Sequence, residues 1–370
     1  MAKEQALLRE YTLGDLKLRN RVVMAPMTRS RADNPDHAPT EIHATYYGQR
    51  ATAGLIITEG SQISTRAVGY VNTPGCYSAA QVEGWKKVTA AVHDKDGKIF
   101  QQLWHVGRMS HPDFHDGELP LAPSAQNPHA QAFTPQGFKD TVVPKAMTIE
   151  EIRQTVKDFG RGAQNALAAG FDGIEIHSSN GYLLHQFFNR TSNIRTDQYG
   201  GSKENRARIL FEVIDEIKKH MPEHRIGLRL NPSLHGVFGT ILDEETIPTF
   251  DHIVERLNDY RLAYLHLSEP FTDVTNVPHA EPNIARRYRP KYKGTLIINS
   301  NFDREKGNTV IEEGLADLVA FAKLFISNPD LPRRFELNAP LTPWDTHTFY
   351  TPGEKGYTDY PALGQSTLRG

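Results

Sequence analysis

The chain has 370 residues, 42 Lys+Arg against 44 Asp+Glu, a formal charge of −2 and a sequence pI near 6.8. It therefore lacks the basic excess of a nucleic-acid binder, and no stretch reaches the roughly 18 consecutive apolar residues of a membrane helix. Cys76, the single cysteine, excludes an internal disulfide and a multi-thiolate metal centre, and Met1–Ala6 has no apolar leader, so a reducing cytoplasm is the expected location.

Short apolar runs alternate with longer helical patterns. Arg21–Met27 precedes a helical pattern over Thr40–Ala53, and Leu55–Glu59 precedes Ala79–Asp94, which follows Ser78. Ile99–His105 leads, after a long gap, to Thr148–Ala169, which opens Thr-Ile-Glu-Glu as a capping box and ends at Gly170. Gly173–Ser178 pairs with Ser202–His220, and Arg225–Asn231 with Asp243–Tyr260. Ala263–Ser268 pairs with Asn283–Tyr292, Thr295–Ser300 with Asp303–Glu313, and Leu318–Ala322 with Pro329–Glu336. The runs are rich in Val, Ile and Leu without strict alternation, the pattern of parallel strands buried on both faces.

Eight strand–helix pairs in order predict a (β/α)₈ TIM barrel. A doubly wound sheet is the competing arrangement, but no G-x-G-x-x-G turn follows the first strand. A barrel takes about 250 residues, which leaves roughly 120 for additions. The polar stretch Val106–Met147, rich in Pro, Gly and His, is the expected excursion over the barrel mouth, with a short strand at Asp140–Lys145. The expected organisation is one domain over residues 1–370.

Active sites of such barrels form at the C-terminal ends of the strands. There the sequence puts Pro26-Met27-Thr28, Gln102 and Trp104, Glu175 and His177, then Asn180 and Tyr182, and Arg229. Alternation along a strand projects Gln102 with Trp104, and Glu175 with His177, to a common face. Amide, guanidinium, hydroxyl and imidazole donors without a pair of catalytic acids suit an electron-rich ring with carbonyl oxygens better than glycoside hydrolysis. Taken alone, His177 reads as an ordinary strand-end histidine, Trp104 and Tyr182 as core aromatics, and Arg229 as an ion-pair partner. His105, His111 and His115 with His177 also admit a metal-dependent barrel hydrolase, although the first strand carries no H-x-H.

Seven segments in order resemble the old yellow enzyme family of FMN-dependent ene-reductases. They are Asn20–Arg31 (NRVVMAPMTRSR), Tyr46–Glu59 (YYGQRATAGLIITE), Gln102–Arg108 (QLWHVGR), His177–Phe187 (HSSNGYLLHQF), Arg195–Arg208 (RTDQYGGSKENRAR), Asn328–Phe335 (NPDLPRRF) and Gly356–Pro361 (GYTDYP). The resemblance spans essentially the whole chain. It implies non-covalent FMN, with NADPH or NADH as hydride donor and a small enone or nitro compound as substrate. It implies that Thr28 donates to flavin O4, that Pro26, Met27 and Gly60 lie along the ring, that Gln102 pairs with the pyrimidine edge, and that Arg229 faces N1/O2. His177 and Asn180 then grip the substrate oxygen, Tyr182 donates the proton, and Trp104 lines the pocket. Tyr357 is expected over that pocket on a C-terminal segment, residues 340–370.

The implied reaction is ping-pong reduction of the activated C=C bond of an α,β-unsaturated carbonyl or nitroalkene by a monomer or homodimer. The phosphate end departs from the family. Asn301 and Phe302 follow the seventh strand, and Ala322-Lys323 stands after the eighth, where the family usually shows Gly-Arg. That departure leaves open a catalytically weak relative with poorly retained FMN.

Overall fold

The computed structural model describes residues 5–364. Met1–Glu4, on which part of the leader reading rests, and the last six positions of the expected C-terminal segment, 365–370, lie outside that range. Eight parallel strands close into a barrel in chain order: Val22–Met24, Leu55–Gln62, Ile99–Trp104, Gly173–His177, Ile226–Leu230, Tyr264–Ser268, Leu296–Asn299 and Leu318–Phe321. Closure is made by the last strand on the first, with Val319 opposite Val22 and Phe321 opposite Met24. The doubly wound alternative is thereby set aside.

Helices follow each strand as expected, their ends pulled in by a few residues where caps replace turns of helix. The longest, Ile149–Ala168, starts on the expected capping box. Thr148 Oγ1 accepts from the Glu151 amide (3.2 Å), and Glu151 accepts from the Thr148 amide (2.8 Å).

Two features of the frame position the site. The second strand carries a bulge between Ile57 and Gly60. Thr58 Oγ1 satisfies the Gln102 amide there (3.1 Å), and register resumes with Gly60 opposite Gln102. A hairpin, Tyr11–Leu13 with Leu16–Leu18, plugs the opposite end, its leucines packing on Val23, Leu55, Phe100 and Leu318. Sequence reading misses this hairpin because three-residue strands carry too little periodicity to register.

The excursion departs from expectation in detail. Its hairpin is Gln131–Thr134 with Gly137–Asp140, and a second small pairing joins Leu121–Ala122 to Lys145–Ala146. Asp140–Lys145 is not a continuous strand, because residues 141–144 connect these two pairings and end on Pro144.

After the last helix, Leu331–Leu337, the chain returns as a strap across the outside of the first strand–helix unit. Buried arginines hold it by its carbonyls. Arg29 donates to Phe349 O (3.1 Å) and Gly356 O (2.7 Å). Arg31 donates to Gly353, Phe349, Thr348 and Lys355 carbonyls, each at 3.0 Å. Arg50 ties the first helix to Phe325 O (2.9 Å) and Ile326 O (2.8 Å). Tyr357 lies inside this clamp, fully buried and stacked on Tyr46 at 3.9 Å. Its expected position over the pocket is therefore corrected: the ring is a packing element of the strap.

The clamp encloses one carboxyl that titrates in an accessible range. Glu59, in the bulged strand, is fully buried, and burial pushes its pKa up to about 7 against the opposing effects of Tyr47, Arg29 and Arg31. A raised carboxyl pKa favours the neutral form in the fold. Its contribution is complete below the unfolded value near 4.5 and is lost as pH rises through about 7. Glu59→Gln, neutral at every pH, should flatten the decline in melting temperature between pH 5 and pH 8, removing a difference of about 2–3 kcal/mol. An equal decline in parent and variant would show that another group carries it.

Candidate active site

At the C-terminal end of the barrel an open cavity is lined by Pro26, Met27, Thr28, Gly60, Gln102, Trp104, His177, Asn180, Tyr182 and Arg229. Ten of the expected site residues thus converge from five strands. Asn301 and Phe302 stand after the seventh strand and Ala322 and Lys323 after the eighth, outside this lining.

Each donor is aimed by a neighbour. His177 Nδ1 accepts from the Ser179 amide (3.4 Å), which leaves the proton on Nε2, the nitrogen free for a ligand. Burial, reinforced by Arg229, holds this imidazole well below its usual range, so it is a neutral donor. Asn180 sits in the left-handed region (φ 59°) at the turn after the fourth strand. Its side-chain oxygen accepts from Asn231 Nδ2 (3.2 Å), which reserves its own NH₂ for the cavity.

Tyr182 heads the short helix Leu183–Phe188 and places its ring edge-on to Trp104 (4.9 Å) and His177 (5.1 Å). Its hydroxyl meets that of Tyr70 at 3.0 Å. Burial, then the Tyr70 hydroxyl, keeps the Tyr182 proton on well above the usual phenol range. Trp104 in turn lies between Tyr70 (5.4 Å) and His177 (6.0 Å), nearly parallel to both. A Cβ on Gly60 would come within 2.5 Å of the Trp104 ring, so only glycine leaves the indole this position.

Gln102 is oriented by a buried relay. Its Nε2 donates to Glu175 (2.7 Å), Glu175 accepts from His266 Nδ1 (2.8 Å), and His266 Nε2 accepts from Asn299 (2.8 Å). The carbonyl oxygen and one amide hydrogen of Gln102 remain for a ligand.

Arg229 is the sharpest pointer to an anionic or carbonyl-rich ring. Among the described residues no hydrogen bond or ion pair engages its guanidinium, and its Nε is buried without a partner. A partly buried cation whose Nε is shut off from solvent without a partner costs free energy unless a ligand supplies acceptors. The donor set fits FMN: an amide edge, a hydroxyl at Thr28, and a free guanidinium where charge would develop.

At the expected phosphate end, Ala322 and Lys323 are exposed, and the Lys323 ammonium lies 5.9 Å over the Trp344 ring. The histidines of the metal reading are each engaged locally: His105 Nδ1 accepts from the Gly107 amide, and His115 pairs with Ser110. Among the described residues no three His, Cys, Asp or Glu side chains gather as metal ligands. Sequence reading sets Val68–Tyr77 at the pocket mouth without singling out Tyr70, and misses the Glu175–His266–Asn299 relay and Tyr350, whose nearby hydroxyl adds to the upward shifts of Tyr70 and Tyr182. Glu175 was visible on the right face of its strand, whereas Tyr70 and Tyr350 lie on irregular backbone with no period to follow.

A sequence profile of the NADH:flavin oxidoreductase / NADH oxidase family matches residues 7–342. The chain is 43% identical over 362 residues to 12-oxophytodienoate reductase 1 of Oryza sativa subsp. japonica, covering 96% of this chain and 93% of the relative. Morphinone reductase in complex with tetrahydroNAD superposes with a TM-score of 0.91 at 43% identity, covering 99% of this chain and 100% of that one. An old yellow enzyme homologue from Zymomonas mobilis superposes with a TM-score of 0.92 at 40% identity, covering 97% and 100%.

Proposed function

The chain belongs to the NADH:flavin oxidoreductase / NADH oxidase family, the old yellow enzymes, and from that premise we infer an FMN-dependent oxidoreductase that takes hydride from a nicotinamide and reduces activated C=C bonds. The observation that carries this reading is the unpartnered Arg229 guanidinium in a cavity of converging donors. Bound there, FMN supplies a two-electron centre between the nicotinamide and the substrate. Gln102 and Thr28 hold its pyrimidine side, Pro26, Met27 and Gly60 flank the ring, and Arg229 stabilises negative charge at N1/O2.

His177 Nε2 and the Asn180 amide donate to the oxygen of an α,β-unsaturated carbonyl or nitroalkene, opposing the charge that develops as the β-carbon is reduced. Tyr182 gives its proton to the α-carbon, and Trp104 walls the pocket. NADPH and NADH are both compatible with this site. The same reading treats the chain as a single FMN-binding domain, a monomer or homodimer of the cytoplasm. Among the described residues no helix is long and apolar enough to cross a membrane.

Purified protein loaded with FMN and freed of the excess should retain flavin absorbance, and anaerobically it should oxidise NAD(P)H beyond one equivalent per flavin only when 2-cyclohexenone is present. Failure of both would overturn the reading. The phosphate end sets a further expectation. Ala322 places a Cβ where glycine would let backbone approach a phosphate, and Lys323 offers a point charge already over Trp344 in place of a fork. FMN should therefore be held loosely, and Ala322→Gly with Lys323→Arg should tighten it about five- to thirtyfold, or ~1–2 kcal/mol. Equal dissociation constants by fluorescence quenching of the two apoproteins would refute this.

A further inference from the structure

Beneath the donor-lined cavity the barrel interior carries a charge that the reaction described above does not use. Glu175 is fully buried, and both its oxygens accept: one from Gln102 Nε2 (2.7 Å), the other from His266 Nδ1 (2.8 Å). Asn299 Nδ2 donates to His266 Nε2 (2.8 Å), which puts the imidazole proton on Nδ1. Ser300 Oγ donates to Asn299 Oδ1 (2.9 Å) and so sets which way that amide points. Burial holds His266 below its usual range in spite of Glu175, so the ring is a neutral donor. With a donor on each oxygen, the carboxyl stands as an anion.

The strands set this anion against Arg229. Glu175 lies opposite Gly227 of the fifth strand, and its carboxyl reaches past that strand to His266 of the sixth. Gly227 leaves room inside the barrel, because a Cβ there would collide with the Tyr264 ring, which stands edge-on to His266. Two residues further along the fifth strand comes Arg229, opposite His266. The carboxylate therefore lies one step below the guanidinium. Of the groups that favour the charge of Arg229 it is the strongest, yet among the described residues no ion pair joins the two.

We propose that Glu175 is the positioning residue of the cofactor edge, turning the Gln102 amide so that its oxygen faces a ring N–H, and that its charge opposes Arg229 and so lowers the reduction potential of bound FMN. The proposal rests on the reading of this cavity as the FMN site. A guanidinium beside the ring favours the anionic reduced flavin, and a carboxylate beneath it disfavours the same species. The potential is thus set by two opposed charges, of which only one lines the cavity. Without the carboxylate, the flavin would accept hydride from the nicotinamide more readily and yield it to the alkene more slowly.

The test is the midpoint potential of the FMN-loaded enzyme, equilibrated with a reference dye. Glu175→Gln removes the charge and keeps the volume. One charge at this range is worth on the order of tenfold in the balance of oxidised and reduced forms, so the potential should rise by about 30 mV, the tenfold shift of a two-electron couple. Glu175→Asp keeps the charge and should hold the parent potential. In stopped flow, Glu175→Gln should speed reduction by NAD(P)H and slow reoxidation by 2-cyclohexenone, whereas damage to the fold would slow both. The new amide must also present its NH₂ to Gln102, which then turns its own NH₂ towards the ring N–H, and FMN binding should weaken about tenfold. If Glu175→Gln folds poorly, the parent supplies a second measurement. Nitrogen spectra of the histidine-labelled holoenzyme should show a neutral imidazole protonated on Nδ1 that is missing from His266→Gln. An unchanged potential in folded Glu175→Gln would overturn the proposal. So would equal shifts in the Gln and Asp variants, or a His266 protonated on Nε2. A parent enzyme that binds no FMN would instead strike the underlying reading of the cavity.

Discussion

Tyr182→Phe should slow oxidation of the reduced holoenzyme by 2-cyclohexenone by about 10²–10⁴-fold, the usual range for positioned proton transfer, while reduction by NAD(P)H keeps its rate. The variant retains the ring contacts with Trp104, His177 and Phe238, so the pocket wall survives the change. Only the hydroxyl is lost, and with it a proton that burial and Tyr70 hold firmly until an enolate-like carbon draws it off. Stopped-flow measurement separates the two half-reactions. Equal slowing of both would make the tyrosine a structural residue. Nitroalkene substrates should suffer less, because a nitronate can leave and be protonated in solvent.

His177→Ala should weaken phenol binding to the holoenzyme by about 2–3 kcal/mol, the scale for losing a hydrogen bond to a charged group, or roughly 30- to 150-fold. The bound phenolate stands in for the substrate oxygen at its most charged. The Ser179 contact fixes which nitrogen carries the proton, so the donor is preorganised and no rotation is required on binding. Because the imidazole is held neutral well below its usual range, phenolate affinity should show no inflection near pH 6.5. Unchanged affinity in the variant would remove His177 from the oxygen grip.

Much of the barrel was legible because its strands are buried on both faces and therefore read as runs rich in Val, Ile and Leu, such as Leu318–Ala322. Nine of the ten cavity residues were legible as positions because they stand at or just beyond expected strand ends, whereas Gly60 and the role of every one of them came from the family resemblance. What escaped lies on backbone without a period. The hairpin at Tyr11–Leu18 and the pairing at Gln131–Asp140 are too short to show alternation. Tyr357 was assigned to the wrong environment because nothing local distinguishes it from Tyr350. The difference is made by Arg29, Arg31 and Tyr46, more than three hundred positions away, which draw one ring into the core and leave the other half-exposed. The Glu175–His266–Asn299 relay likewise exists only once three strands have been brought side by side.

The strap carries a consequence for the order in which the molecule assembles. The bond from Arg29 to Phe349 O joins positions 320 residues apart. Made in an open chain, a closure of that span would cost roughly 5 kcal/mol by the (3/2)RT ln n scaling. Made after the ring has closed it is nearly free, because the pairing of Val319 with Val22 has already brought both ends of the chain to the same place. Loop-closure entropy therefore favours closing the ring before the strap docks, with Arg29 and Arg31 solvated until their strap carbonyls arrive.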